Sequence, residues 1–210
     1  MLDEQLKEQI KKKFANELNG EVQLLLFGKD ADCTFCQEYQ ELIDELASLS
    51  TKLSFKSYSI SSPEAEKHGA ELAPSLIVYS QEQGSSATFC GPPGNHFFII
   101  LLEDIIDASR GGPNIQKELI QKAKSINFPV KLRVFVSQNC PYCPPAVKVA
   151  HDFSLINPKI KAEMIDTALF RELAQKYHVR GVPKTVINDK IEFTGAKPPS
   201  ELLSQLLHLQ

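Results

Sequence analysis

Cys140-Pro141-Tyr142-Cys143 places two thiols with two residues between them. The pair follows an apolar run at 130–136 and precedes a stretch with helical periodicity. At a strand-to-helix junction this spacing is a thiol–disulfide exchange site. The first sulfur lies at the helix start, where unpaired backbone N–H groups and the helix dipole favour the thiolate, which is the nucleophile. The second lies one turn further in, within reach of a mixed disulfide formed by the first, and its attack completes the exchange. Cys140 is therefore read as the attacking thiol and Cys143 as the resolving one. A second pair with the same spacing, Cys33-Thr34-Phe35-Cys36, follows the apolar run 22–27. Asp30 and Asp32 stand just before Cys33, and negative charge disfavours a thiolate, whereas Gln138-Asn139 before Cys140 is neutral. Cys140 is expected to be the more reactive nucleophile, with Cys33 and Cys36 slower or acting as a relay.

The rival use of such pairs is zinc, which needs four ligands brought together. Zinc ribbons separate their two pairs by ~15–20 residues. Here 104 residues separate Cys36 from Cys140, so no metal is expected. Cys90 reads as a buried strand cysteine, since free cysteine is among the most buried residue types. The five histidines (His68, His96, His151, His178 and His208) show no ligand spacing and read as surface or half-buried side chains.

The elements that must position these thiols recur in order. A helix over 3–18 with Leu6, Ile10 and Phe14 on one stripe leads to a buried strand at 22–27, then to Cys33 and a helix carrying Tyr39, Leu42, Ile43, Leu46 and Leu49. A strand at 53–60, a short helix from Ser62-Pro63, a strand at 75–79 behind Ala73-Pro74 and a strand at 87–90 complete a sheet. The segment 95–109 is apolar nearly all round, which predicts packing on its own sheet and against the other half. After Arg110-Gly111-Gly112-Pro113 the order repeats: helix, strand 130–136, the Cys140/Cys143 pair, helix, strand 159–165, short helix, strand 182–187 behind Val182-Pro183, strand 191–194 and a closing helix. Cys36 to Pro74 is 38 residues and Cys143 to Pro183 is 40. Phe89-Cys90-Gly91 falls where Phe193-Thr194-Gly195 falls. A repeat of about one hundred residues fits two copies of a domain, 1–112 and 113–210, on an α/β plan.

Composition limits the partners. With 42% apolar and 23% charged residues the chain is ordinary for a globular protein, and a net charge of −3 offers no footprint for nucleic acid. Met1-Leu2-Asp3-Glu4-Gln5 has no positive n-region, and the apolar run 97–102 is too short to span a bilayer, so a cytoplasmic protein without a membrane partner is expected. In that compartment paired cysteines more often serve catalysis than structure.

Each half resembles a thioredoxin fold, through its Cys-x-x-Cys pair after the first strand and its X-Pro step before the third. Cys140-Pro141-Tyr142-Cys143 and Gly181-Val182-Pro183 are glutaredoxin-like. Two such units in one short chain resemble the protein disulfide oxidoreductases of thermophilic archaea and bacteria. The resemblance implies two tandem thioredoxin-like domains, each a mixed four-stranded sheet flanked by helices. It implies a thiol–disulfide oxidoreductase that reduces, forms or isomerises protein disulfides, with the second site dominant and no bound cofactor. It also implies that Pro74 and Pro183 are cis and face the cysteine pairs, although from the residues alone either could start a strand in the trans form. A cis proline turns the backbone of Ala73 or Val182 toward a groove where an extended substrate can pair, and Tyr142 is a further candidate substrate contact. The implied partners are protein disulfides or dithiols and a donor similar to thioredoxin reductase, since no nucleotide fingerprint occurs here. The chain departs from thioredoxins in one place: the position six residues before the first cysteine, a buried carboxylate there, is Phe27 or Val134. Pro144 and Pro145 directly after Cys143 predict an irregular helix start.

Two other readings stand beside this one. The tandem thioredoxin-fold segment of bacterial alkyl hydroperoxide reductase flavoproteins passes electrons toward a peroxidase, but only one of its halves keeps the cysteine pair. A chaperone-like module would hold unfolded chains in its apolar grooves without exchange chemistry.

Overall fold

The computed structural model of the chain describes residues 2–28 and 36–209. Asp3 starts α1 (Glu4–Glu17) by accepting the Leu6 N–H, and Ile10 and Phe14 on its inner stripe are buried. The first half continues as β1 (Val22–Gly28), α2 (Cys36–Ser48), β2 (Leu53–Ser59), α3 (Pro63–His68), β3 (Ser75–Ser80), β4 (Ser85–Cys90) and α4 (Phe97–Ser109). The second half comprises α5 (Lys117–Ser125), β5 (Val130–Val136), α6 (Cys143–Ile156), β6 (Ile160–Asp166), α7 (Arg171–Lys176), β7 (Lys184–Ile187), β8 (Ile191–Thr194) and α8 (Pro199–Leu207). Ser62 caps α3 by accepting the Ala65 N–H, with Pro63 as its first residue, the position where a missing N–H costs nothing.

The strand order is β2-β1-β3-β4-β6-β5-β7-β8. Within each half the first strand pairs in parallel with the second and antiparallel with the third, and the last two strands form an antiparallel hairpin. The mixed four-stranded sheet expected for each half is therefore present. The two sheets are also one: β4 pairs in parallel with β6, Ala87 opposite Ala162 through Cys90 opposite Ile165. No periodicity in the sequence announces this join, because β4 and β6 would read the same way as edge strands.

The helix α4 has the double role its composition predicts. Phe97, Ile100, Leu101, Leu102, Ile105 and Ile106 are buried in one core that also takes in Val147, Ala150 and Phe153 of α6. Where α4 meets α6, the contact is charged as well as apolar. His151 Nδ1 lies 2.6 Å from Asp104 Oδ2, with both side chains fully buried. Lys148 Nζ is 2.7 Å from Asp107 Oδ2, 3.5 Å from Asp104 Oδ1, and paired with Asp152 one turn along α6. His151 is thus no surface residue. Its ring packs edge-on against Phe89 at 4.9 Å between centroids. No described helix is long and apolar enough to cross a membrane.

Candidate active site at the start of α6

Between β5 and α6 the chain makes a tight connection that presents one cysteine and hides the other. The Cys140 N–H donates to the Ser137 carbonyl at 3.0 Å, and the Cys143 N–H donates to the Cys140 carbonyl at 3.4 Å. Cys140 stands in the turn before α6 and is half-buried, while Cys143 is the first helical residue and fully buried. Pro144 and Pro145 fill the first turn of α6, where the N–H groups have no intrahelical partner in any case, so the expected irregular start does not arise. Burial first, and then the adjoining Cys140 thiol, push the Cys143 thiol up to about 12, against the weaker help of a hydrogen bond from the Ser137 backbone. One thiol of the pair is therefore accessible and its neighbour is held protonated behind it.

The Val182-Pro183 peptide bond is cis and faces this pair, with the Val182 carbonyl oxygen 3.8 Å from Cys140 Sγ. Ala73-Pro74 is cis as well. Each proline carbonyl accepts an N–H from the glycine that ends the neighbouring strand, Gly195 to Pro183 at 2.8 Å and Gly91 to Pro74 at 3.0 Å. Both glycines have positive φ, 95° and 105°, and a Cβ on Gly91 would lie 2.9 Å from Asp166 Cβ, so this corner admits no side chain. The duplicated spacing of cysteines and prolines is in this respect a duplicated geometry. Tyr142 is 75% exposed, free to touch whatever approaches Cys140.

Cys33 and residues 29–35 as a whole, Asp30 and Asp32 included, lie outside the described residues, and Cys36 enters only as the first residue of α2. Cys90 is buried on β4, as expected, and burial raises its thiol well above the ordinary range. Phe27 and Val134, where thioredoxins carry a buried carboxylate, are fully buried apolar side chains. No group of three or more His, Cys, Asp and Glu side chains among the described residues is arranged to hold a metal ion.

Gln138, read from sequence as a neutral bystander, does more. Its Nε2 donates to the Pro92 carbonyl at 2.9 Å and to Asp166 Oδ2 at 2.8 Å, while Asp166 Oδ1 accepts the Ala168 N–H. The loop that carries Cys140 is thereby tied to the first half and to β6. A glutamine two residues before the first cysteine was the signal, but its partners are distant in sequence.

Residues 130–208 match the thioredoxin domain family. The flavoprotein component of alkyl hydroperoxide reductase from Staphylococcus aureus is 28% identical over 98% of this chain, which spans 38% of that protein. The N-terminal domain of the corresponding protein from Enterococcus faecalis superposes with a TM-score of 0.87 at 27% identity, covering 98% of this chain and all of that one. A protein disulfide oxidoreductase from Aeropyrum pernix superposes with a TM-score of 0.86 at 23% identity, over 98% and 93% of the two chains. The chain is a thioredoxin-fold oxidoreductase. The tandem arrangement is shared with both solved structures, and the higher identity lies with the alkyl hydroperoxide reductase segment, the reading that two retained cysteine motifs had weighed against.

Proposed function

We propose that this thioredoxin-fold oxidoreductase exchanges thiols and disulfides in protein substrates, with Cys140 as nucleophile and Cys143 as resolving thiol. One observation carries the reading: an accessible thiol against the Val182 carbonyl, with a buried, protonated thiol directly behind it. In reduction, the Cys140 thiolate attacks one sulfur of the substrate disulfide and the other sulfur leaves as a thiolate. Cys143 then loses its proton, attacks the Cys140 sulfur of the mixed disulfide, and expels the second substrate thiolate. The two electrons given to the substrate leave a Cys140–Cys143 disulfide behind. Oxidation of a substrate dithiol runs the same steps backwards, and direction follows the reduction potential, with ~30 mV worth about 1.4 kcal/mol.

In this reading the units are 1–112 and 113–210, and Cys33 and Cys36 repeat the chemistry more slowly in the first. Val182 and Pro183, with Ala73 and Pro74 in the first unit, present backbone to an extended substrate, and Tyr142 covers it. A reductase similar to thioredoxin reductase recharges the protein, in the cytoplasm. The likeness to alkyl hydroperoxide reductase supports a second, narrower reading, in which the same pair hands electrons to a peroxidase.

Reduction of insulin disulfides by dithiothreitol is the test. Wild type should accelerate it, Cys140→Ser should lose most of that activity, and Cys33→Ser should lose much less. Equal losses would mean two equivalent sites, and no acceleration by wild type would remove the general exchange reading. Strong peroxide turnover with an added peroxidase, alongside feeble insulin turnover, would favour the electron-transfer role.

A further inference from the structure

Next to the redox site lies a cavity of about 330 Å³ that the exchange chemistry leaves unused. Thr167 from the end of β6, Arg171 and Gln175 on α7, and His178 and Arg180 on the way to Val182 line it. No Asp or Glu does. The chain has four arginines, and they divide sharply. Arg110 is paired with Glu17, and Arg133 with Glu163 and Asp189. Arg171 and Arg180 have no carboxylate partner among the described residues; Arg171 Nε donates only to the Ala168 carbonyl, at 3.2 Å. The nearest acid in sequence to Thr167 is Asp166, whose carboxylate is already engaged by N–H groups of Gln138, Ala168 and Leu169. Two unpaired guanidinium groups on one cavity form a cationic fork suited to a carboxylate.

Its place relative to Cys140 makes the cavity part of the substrate path. Arg180 precedes Val182 by two residues, at most ~7 Å along the chain, and the Val182 carbonyl is the group against Cys140 Sγ. Arg180, Gly181 and Val182 make no backbone–backbone hydrogen bond among the described residues. They form a free edge that an extended substrate segment can join. Side chains alternate along such a strand, so a substrate residue about two places from the reacting cysteine comes level with Arg180.

We propose that Arg171 and Arg180 bind a carboxylate on the substrate, an Asp or Glu side chain two or three residues from the exchanging cysteine. This makes the protein selective for disulfides in acidic surroundings, and it rests on the exchange reading above.

The test uses three disulfide-linked peptides, N-acetylated and C-amidated so that the only variable charge is a Glu, Gln or Lys two residues from the cysteine. Wild type should show kcat/KM about fivefold to tenfold higher for the Glu peptide than for the Gln peptide, shrinking toward unity in 0.5 M NaCl. The ratio should collapse in Arg180→Ala with Arg171→Ala, and Arg180→Glu should invert it in favour of the Lys peptide. Equal turnover of all three by wild type, or a Glu preference that survives both arginine changes, would overturn the pocket and leave the exchange reading intact. Failure to turn over any of them would instead strike at the exchange reading itself.

Discussion

At the scale of the residue, the site works by an asymmetry between two identical functional groups. Cys140 and Cys143 differ in burial alone, yet that separates a thiol open to attack from one held protonated up to about 12. A thiol raised in the folded protein ionises less readily than in the unfolded chain, so at pH 8 reduced Cys143 should resist iodoacetamide while Cys140 reacts. Peptide mapping after a short pulse should find Cys140 modified, Cys143 and Cys90 spared, and both spared thiols labelled once the protein is unfolded. Comparable labelling of Cys143 in the folded protein would contradict the geometry. The same logic makes resolution of a trapped mixed disulfide speed up with pH between 6 and 9, by up to about tenfold per unit. Both cysteines and the cis Val182-Pro183 step were legible in the sequence because their chemistry is local or repeated. Gln138, Arg171 and Arg180 were not, since each takes its meaning from a fold that brings 92, 138, 166 and 180 to one corner.

At the scale of the element, α4 and α6 show how far periodicity carries. An apolar helix at 95–109 had to be covered on two sides, and it is, by the sheet and by α6. What the pattern concealed is the charge between them. Asp104 and Asp107 come from α4, and Lys148, His151 and Asp152 from α6, so that several acids share one lysine. Burial pushes the Asp152 carboxyl up to about 6, against the pull of Lys148. A carboxyl raised in the folded state is stabilising below its unfolded value near 3.8, and that contribution is lost as pH rises through about 6. In Asp152→Asn the loss is absent, and Lys148 keeps Asp104 and Asp107. Urea unfolding at pH 4 and pH 7 should therefore show the stability difference between variant and wild type moving by about 2–3 kcal/mol in the variant's favour. A difference that stays constant would place Asp152 in ordinary solvent.

At the scale of the whole molecule, the two halves are joined by backbone pairing between β4 and β6, by the shared core of α4 and α6, and by the Gln138 bridge. Cutting between them would expose two sheet edges and an apolar helix face. The chain is expected to unfold in a single calorimetric transition, with van't Hoff and calorimetric enthalpies in agreement. Two resolved transitions would mean that the common sheet adds little coupling. The two-fold plan was legible in the sequence because the second half repeats the spacings of the first. The manner of joining was not, since any edge strand carries the same unsatisfied backbone.

The join has a consequence for assembly. β6 holds in the second half the place that β2 holds in the first, and β8 holds that of β4. Pairing β4 with β6 is thus head-to-tail, and the operation does not close on itself. The outer strands β8 and β2 are the two faces of the same contact, so a second molecule has a ready place to add, and a third after it. Four-residue β8 is short, with Glu192 on its edge and prolines at 198 and 199 soon after it, and Lys56 sits within β2. Shortness, charge and proline are the means by which exposed edges are kept from growing. The fold is a two-unit fragment of an unbounded filament, and its edge residues stop the count at two.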